Sequence, residues 1–392
     1  MMSELLESRW TETKDALLEG LDGNKKSVMA ATLENTRKYL SESATAGATS
    51  AGNVATLNRV ILPVIRRVMP TVIANELVGV QPMTGPVGQI HTLRVRYAEG
   101  FNSTNGTDTT AGEEALSPFK IAEGYSGAAD DKAATTAALE GQAGRKLSIQ
   151  ILKQTVEAKS RKLSARWTFE AAQDAQSMHG IDVEAEIMAA LAQEITAEID
   201  QEVLASLSSL AGNAAETYDQ AAVSGTATFV GDEHAALAVQ INRVANLIAQ
   251  RTRRGAGNYA VVSPFALTIL QSATTSAFAR TTEGTFEAPT NTKMVGTLNN
   301  AMKVYVNTYS ADGADVLVGY KGASESDAPA FYCPYIPLMS SGVVLDPSTF
   351  EPTVSFMTRY GYVELSNTAS SLGNAADYLG KVAITNGNVS FS

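Results

Sequence analysis

Enzymes build sites from clustered histidines, reactive cysteines, paired carboxylates and glycine-rich turns, and this chain arranges none of them convincingly. Its three histidines, His91, His179 and His234, are far apart and lack metal-ligand spacing. The single cysteine, Cys333, lies in an apolar run and reads as a small hydrophobe. Gly255-Ala-Gly257-Asn-Tyr-Ala260 matches a dinucleotide-type glycine pattern on paper. Its context is wrong, because a phosphate loop follows a strand and opens a helix, whereas this one follows a helical pattern and opens a strand. Arg251, Arg253 and Arg254 just before it suit a tight acidic contact better. Glu194, Glu198 and Glu202 recur four apart, but a row of Glu on one helix face is usually solvated or paired. No Walker loop is present. The expectation is therefore a protein with no catalytic residue, no cofactor-binding residue and no metal ligand.

The glutamate row belongs to the longest regular stretch, Ile181 to Leu210, which contains no Pro or Gly. Ile187, Leu191, Ile195, Ile199, Val203 and Leu207 recur at helix spacing. About thirty helical residues make a rod of roughly 45 Å, and a four-residue stripe drifts around it, so its two ends face different neighbours. The stretch reads as a spine with other pieces hung on each end.

Around the spine the chain divides by composition. Residues 3–42 read as a helical arm, and 43–53 (SATAGATSAGN) as an uncharged linker. Leu57, Ile61, Val64, Ile65 and Val68 fit a helix that carries Arg66 and Arg67 outward, with Pro63 as a kink and Pro70 as its end. Gln89 to Tyr97 alternates as a half-buried strand, and strand alternation returns over Leu147 to Phe169. The intervening 98–146, rich in Gly, Ala, Ser, Thr and acids, is too polar to fold alone. Together these read as a hairpin arm with a long excursion. His234 to Gln250 is an amphipathic helix, Tyr259 to Ser263 a strand, and Ser263-Pro264 a helix start. Met302 to Tyr309 and Val316 to Tyr320 read as a hairpin turning at Asp312-Gly313, and Phe331 to Met339, with Pro334 and Pro337, as an edge or irregular strand. Val354 to Tyr362 rejoins the first sheet, and Lys381 to Thr385 is a last strand.

The chain has 392 residues and a net charge of −11. That length suffices for two or three domains. The acidic balance argues against an electrostatic grip on nucleic acid, although it is compatible with a container for it. One cysteine excludes an intrachain disulfide. The first twenty residues lack a signal-peptide core, and Arg66, Arg67, Asn75 and Glu76 break the most apolar window, so no membrane span is expected. The chain reads as soluble and made in a reducing cytoplasm.

Ordered short motifs carry a resemblance. Arg66-Arg67-Val-Met-Pro70, Val78-Gly-Val-Gln-Pro-Met-Thr-Gly-Pro-Val-Gly88 and Leu93-Arg94 are followed by Val156-Glu-Ala-Lys-Ser-Arg161, Ala172-Gln-Asp174 and His179-Gly180. Gly255-Ala-Gly257-Asn258, Val318-Gly-Tyr-Lys-Gly322 and Thr358-Arg-Tyr-Gly361 complete the series. Each is weak alone, but their shared order over 55–365 resembles the T-even-type bacteriophage major capsid protein family.

The resemblance implies an α+β fold, the shell fold of tailed phages and herpesviruses. It assigns 1–53 to an N-terminal arm and linker and 98–146 to an extended loop. It assigns 54–97, 147–234 and 346–392 to a peripheral domain, and 235–345 to an axial domain. The implied function is a non-enzymatic subunit that assembles with itself into hexamers, or also pentamers, forming the icosahedral head around double-stranded DNA. The implied location is the virion capsid, assembled in the host bacterial cytoplasm. Implied partners are a prohead protease and scaffold, portal and vertex proteins, and decoration proteins, with no sequence-specific DNA contact. The junction at Glu42 and Ser43, after Leu40-Ser41, is similar to prohead protease sites. Arg66, Arg67, Arg253 and Arg254 exceed their local acids and, with Glu194, Glu198 and Glu202, are expected to pair between subunits. A vertex protein of the same family, a cellular nanocompartment shell and, from another class, a nucleotide-dependent enzyme are the alternatives.

Overall fold

A computed structural model describes residues 10, 14, 15, 18, 23, 26–35, 73–102, 108–113, 115, 125–127, 133–140, 144–179, 182–220, 230–273, 278–280, 293–299, 301–311, 313–349, 351–365 and 375–385. Arg66, Arg67, Glu42 and Ser43 lie outside them, as do the expected linker and the helix over 54–70.

The strands are β1 (Gly79–Val80), β2 (Val87–Tyr97), β3 (Leu147–Glu157), β4 (Lys159–Arg166), β5 (Glu216–Asp219), β6 (Tyr259–Val262) and β7 (Phe278–Arg280). They continue as β8 (Lys293–Leu298), β9 (Met302–Val306), β10 (Val316–Gly319), β11 (Ala330–Ser340), β12 (Val344–Leu345), β13 (Pro352–Glu364) and β14 (Leu379–Thr385). The helices are α1 (Ala74–Leu77), α2 (Thr136–Leu139), α3 (Phe169–His179), α4 (Val183–Leu210), α5 (Val230–Thr252) and α6 (Pro264–Ser272). Residues 26–35 are helical as well. The expected spine is α4. The expected strand over 147–169 is instead two strands interrupted at Ala158, and Phe169 opens a helix because Thr168 accepts from the Ala171 N–H at 3.4 Å.

The chain forms two compact units. The first comprises 1–88, 156–205 and 331–363. Its sheet has five strands in the order β1-β11-β13-β12, with β4 antiparallel to β13. Leu163 opposite Phe356 and Ala165 opposite Val354 carry the alternation visible in the sequence onto one face. Leu191, Ile195, Ile199 and Val203 of α4 are buried, which is the apolar stripe that made the helix legible. For Phe331–Met339, expected as an edge or irregular strand, the edge alternative is corrected: β11 lies inside the sheet, between β1 and β13. Its prolines are accommodated because β1 is only a two-residue parallel partner, Gly79 to Phe331 and Val80 to Tyr332.

The second unit comprises 89–155, 206–330 and 364–392. A seven-stranded mixed sheet runs β5-β14-β10-β6-β9-β8-β7. Leu237, Ile241, Val244 and Ile248 of α5 and Ala266, Ile269 and Leu270 of α6 bury against Val304, Val306, Val316 and Val318. Ser263 caps α6 by accepting from the Ala266 N–H, with Pro264 following, as the Ser-Pro pair predicts. The expected hairpin of 302–309 with 316–320 does not form. Gly313 does turn, at φ +80, but β6 lies between the two strands, parallel to β9 and antiparallel to β10. The block drawn at 235–345 also differs from the sheet. Glu216–Asp219 and Leu379–Thr385 join it, whereas Phe331–Ser340 belongs to the other sheet.

In the same unit β2 and β3 form a two-stranded ribbon. The expectation for 98–146 needs correcting where that stretch is described. Tyr97, Phe101, Ala115 and Tyr125 bury one another in a small cluster. The Arg145 guanidinium lies 4.0 Å from the Phe101 ring centroid and donates to the Tyr125 carbonyl at 3.1 Å. Three aromatic rings and one cation supply the core that composition alone seemed to deny.

Candidate functional site

The expected absence of an active site can be examined at each candidate. Gly255 and Gly257 are there for packing. A Cβ on Gly255 would lie 2.6 Å from the Tyr320 ring, and one on Gly257 2.9 Å from Val318. The adjoining arginines do find an acid: Arg254 donates to Asp327 at 2.5 Å, and Tyr378 donates to the same carboxylate at 3.2 Å. Arg254 therefore already has an acidic partner within the chain. Arg253 stands at the helix end with φ +49.

His234 is buried, its Nδ1 2.5 Å from Ser272 Oγ and its Nε2 3.5 Å from Gln220. Burial lowers its pKa, although Glu233 opposes this. With no access for a substrate, this histidine is a neutral member of a buried network. His91 is exposed on β2, and the His179 side chain is not among those described. Cys333 is buried, and desolvation pushes its thiol up to about 11, so it is inert at neutral pH. Among the described residues no cluster of His, Cys, Asp or Glu could hold a metal, and no helix is long and apolar enough to cross a membrane.

The glutamates of α4 are occupied. Arg161 on β4 donates to Glu198 at 2.7 Å and to Glu202 at 2.6 Å, and Tyr360 on β13 also donates to Glu202. Burial alone would raise the Glu202 pKa, but the Tyr360 and Arg161 hydrogen bonds outweigh it and hold the carboxylate below its usual range. The arginine thus fastens the spine to the sheet. Sequence reasoning missed it because its partners lie 37 and 41 residues away. Glu198 and Glu202 therefore share a partner within the chain, and Glu194 is exposed on the same helix.

Among the described residues, the ribbon carries a row of uncovered aliphatics. Thr92 donates to the Leu152 carbonyl and Ser148 to the Arg96 carbonyl, each at 3.5 Å or less, which sets the two strands antiparallel. Alternation then puts Leu93 together with Leu147, Ile149 and Ile151 on one face. Their exposures are 67%, 53%, 68% and 67%. A two-stranded ribbon cannot shield such a face by itself. Contiguous exposed aliphatics of this kind mark a surface meant for another protein.

An α+β chain with a long spine helix and a ribbon whose aliphatic face is exposed is of the class that contacts other proteins. Comparison with known proteins gives the class a family. The profile described as Major capsid protein Gp23 matches residues 54–384, and the chain belongs to that family. Similar curated proteins are major capsid proteins. That of Vibrio phage KVP40 is 29% identical over 417 residues, covering 83% of this chain and 80% of that protein. That of Enterobacteria phage T4 is 29% identical, covering 82% and 78%. That of Serratia phage KSP90 is 28% identical, covering 92% and 90%. Among solved structures, a chain of Microbacterium phage Oxtober96 aligns with a TM-score of 0.46 at 13% identity, over 80% of this chain and 90% of that one. The capsid of Myoviridae phage XM1 gives 0.44 at 10%, over 80% and 92%. The fold assignment rests on the elements above and on the family. The protein is a non-enzymatic component of the virion capsid. The matches favour neither the vertex-protein nor the nanocompartment alternative, and family membership removes the nucleotide-dependent enzyme.

Proposed function

We propose that this major capsid protein closes the phage head by laying the apolar face of its ribbon on a second copy of itself. The exposed row Leu93, Leu147, Ile149 and Ile151 carries this reading. Four aliphatic side chains moved from water into a contact would supply several kcal/mol, at roughly 1.5–3 kcal/mol each before the cost of association. In this reading the copies form hexamers, or also pentamers, around double-stranded DNA. The negative net charge fits a wall that encloses DNA without gripping it.

The finer assignments belong to the same reading. The unit with the spine and the five-stranded sheet corresponds to the peripheral domain, and the seven-stranded sheet to the axial domain. A prohead protease cuts between Glu42 and Ser43, a scaffold guides assembly, and portal, vertex and decoration proteins join the finished shell. Glu194, Arg66, Arg67 and Arg253 contribute charge pairs between copies, where such pairs give specificity more than affinity.

The test is a double variant, Ile149→Lys with Ile151→Lys. Both residues are about two-thirds exposed, so the subunit keeps its fold. Assembly, followed by sedimentation, should be abolished while circular dichroism is unchanged. Normal shell yield from this variant would overturn the ribbon's role.

A further inference from the structure

Helical residues 26–35 of the arm are seated by burial. Val28, Met29, Thr32, Leu33 and Asn35 are all buried, at 8% exposure or less. On the helix's other side, Lys14 reaches Glu34 at 3.5 Å and Trp10 Nε1 donates to the same carboxylate at 3.4 Å. The helix is therefore seated, and Asn35 links it to the rest of its unit. Asn35 Nδ2 donates to the Met83 carbonyl at 2.6 Å and to the Tyr335 carbonyl at 3.1 Å.

Those two carbonyls lie at the end of the β1–β11 ladder. Parallel pairing of β1 with β11 continues past the strand as Gln81 N–H to the Tyr332 carbonyl and Met83 N–H to the Pro334 carbonyl, both at 3.0 Å. Pro82, Pro334 and Pro337 have no N–H to return. A carboxamide NH2 carries two donors, and here it bridges the two adjacent backbones. A carboxylate of the same shape would set oxygen against two carbonyl oxygens.

We propose that the end of the β1–β11 ladder is a helix-binding site, and that its ligand is the chain's own helix 26–35, recognised through the Asn35 carboxamide. The partner it fits is an apolar-faced helix presenting an amide at that position. Residues 36–72 separate the helix from Ile73 in the sequence. This inference does not depend on the arm being cut or on the ribbon's role.

Hydrogen exchange on the full chain tests it. In Asn35→Asp, amides of 26–35 should exchange roughly tenfold to a hundredfold faster, the range expected for losing buried hydrogen bonds, while those of β13 and α4 stay protected. Unchanged arm protection would overturn the proposal. So would arm and β13 loosening together, since the arm would then be part of one cooperative unit and not a ligand. A peptide of residues 10–35 should bind the Asn35→Asp chain saturably, and the same peptide with Asp at its position 35 should not. Wild-type chain supplies a check free of any folding defect. Excess Asn-bearing peptide should speed exchange of the chain's own 26–35, and the Asp-bearing peptide should not. Equal behaviour of the two peptides would also overturn the assignment.

Discussion

Asp200 is the residue whose ionisation matters most to the subunit. It is 3% exposed, and its carboxylate accepts from the Ile73 N–H at 2.9 Å. Desolvation raises its pKa from 3.8 to about 7, partly offset by that hydrogen bond. A folded-state pKa above the unfolded one means the native state binds the proton more tightly. Stability from this group is therefore complete below about pH 4 and is lost as pH rises towards 7, by at most about 4 kcal/mol. Asp200→Asn keeps an oxygen for Ile73 and removes the charge. Urea midpoints should favour the variant at pH 8 and converge with wild type near pH 4. A difference that does not change with pH would contradict the account. His234 works the other way. Its lowered pKa means that stability is lost as pH falls below about 6.5. Neither effect was visible in sequence, because burial creates both, and the Ile73 partner of Asp200 lies 127 residues away. The identity of Cys333 as an inert hydrophobe and the acidic destination of Arg254 were visible, since one follows from an apolar run and the other from a cluster of arginines at a turn.

Among elements, α4 is the one the sequence displayed most plainly, because a stripe of six aliphatics over a stretch free of Gly and Pro admits little else. Its attachment was hidden. Arg161 joins it to β4, and Tyr360 joins it to β13, by contacts that only the sheet register brings together. Arg161→Met should cost about 1 kcal/mol, since the pair is partly exposed and solvent screens it. A thermal midpoint unchanged within error would show that the clamp holds nothing. Glu198→Lys would place two cations together within one chain. It is expected to lower monomer stability as well as assembly. The strand order around β6 and the interior place of β11 escaped the sequence for a related reason. A turn signal at Gly313 says where a chain bends and not which strand it bends towards. The aromatic cluster of Tyr97, Phe101 and Tyr125 escaped because three rings are diluted in a polar stretch.

At the scale of the whole molecule, the family was legible because many short motifs kept their order, and the family profile spans residues 54–384. The arm lies before that span, and its fate is a separate expectation. Intact mass of subunits from mature heads should begin at Ser43. Chains still carrying residues 3–42 would refute cutting at Glu42. The central claim is that this chain is a shell subunit whose exposed ribbon is finished by another copy. Electron microscopy of the purified full-length protein tests it most directly. Capsomers and closed shells, with density from a neighbouring copy over Leu93, Ile149 and Ile151, are the predicted result. Small discrete particles of one chain, with that face open to solvent at every concentration, would contradict it.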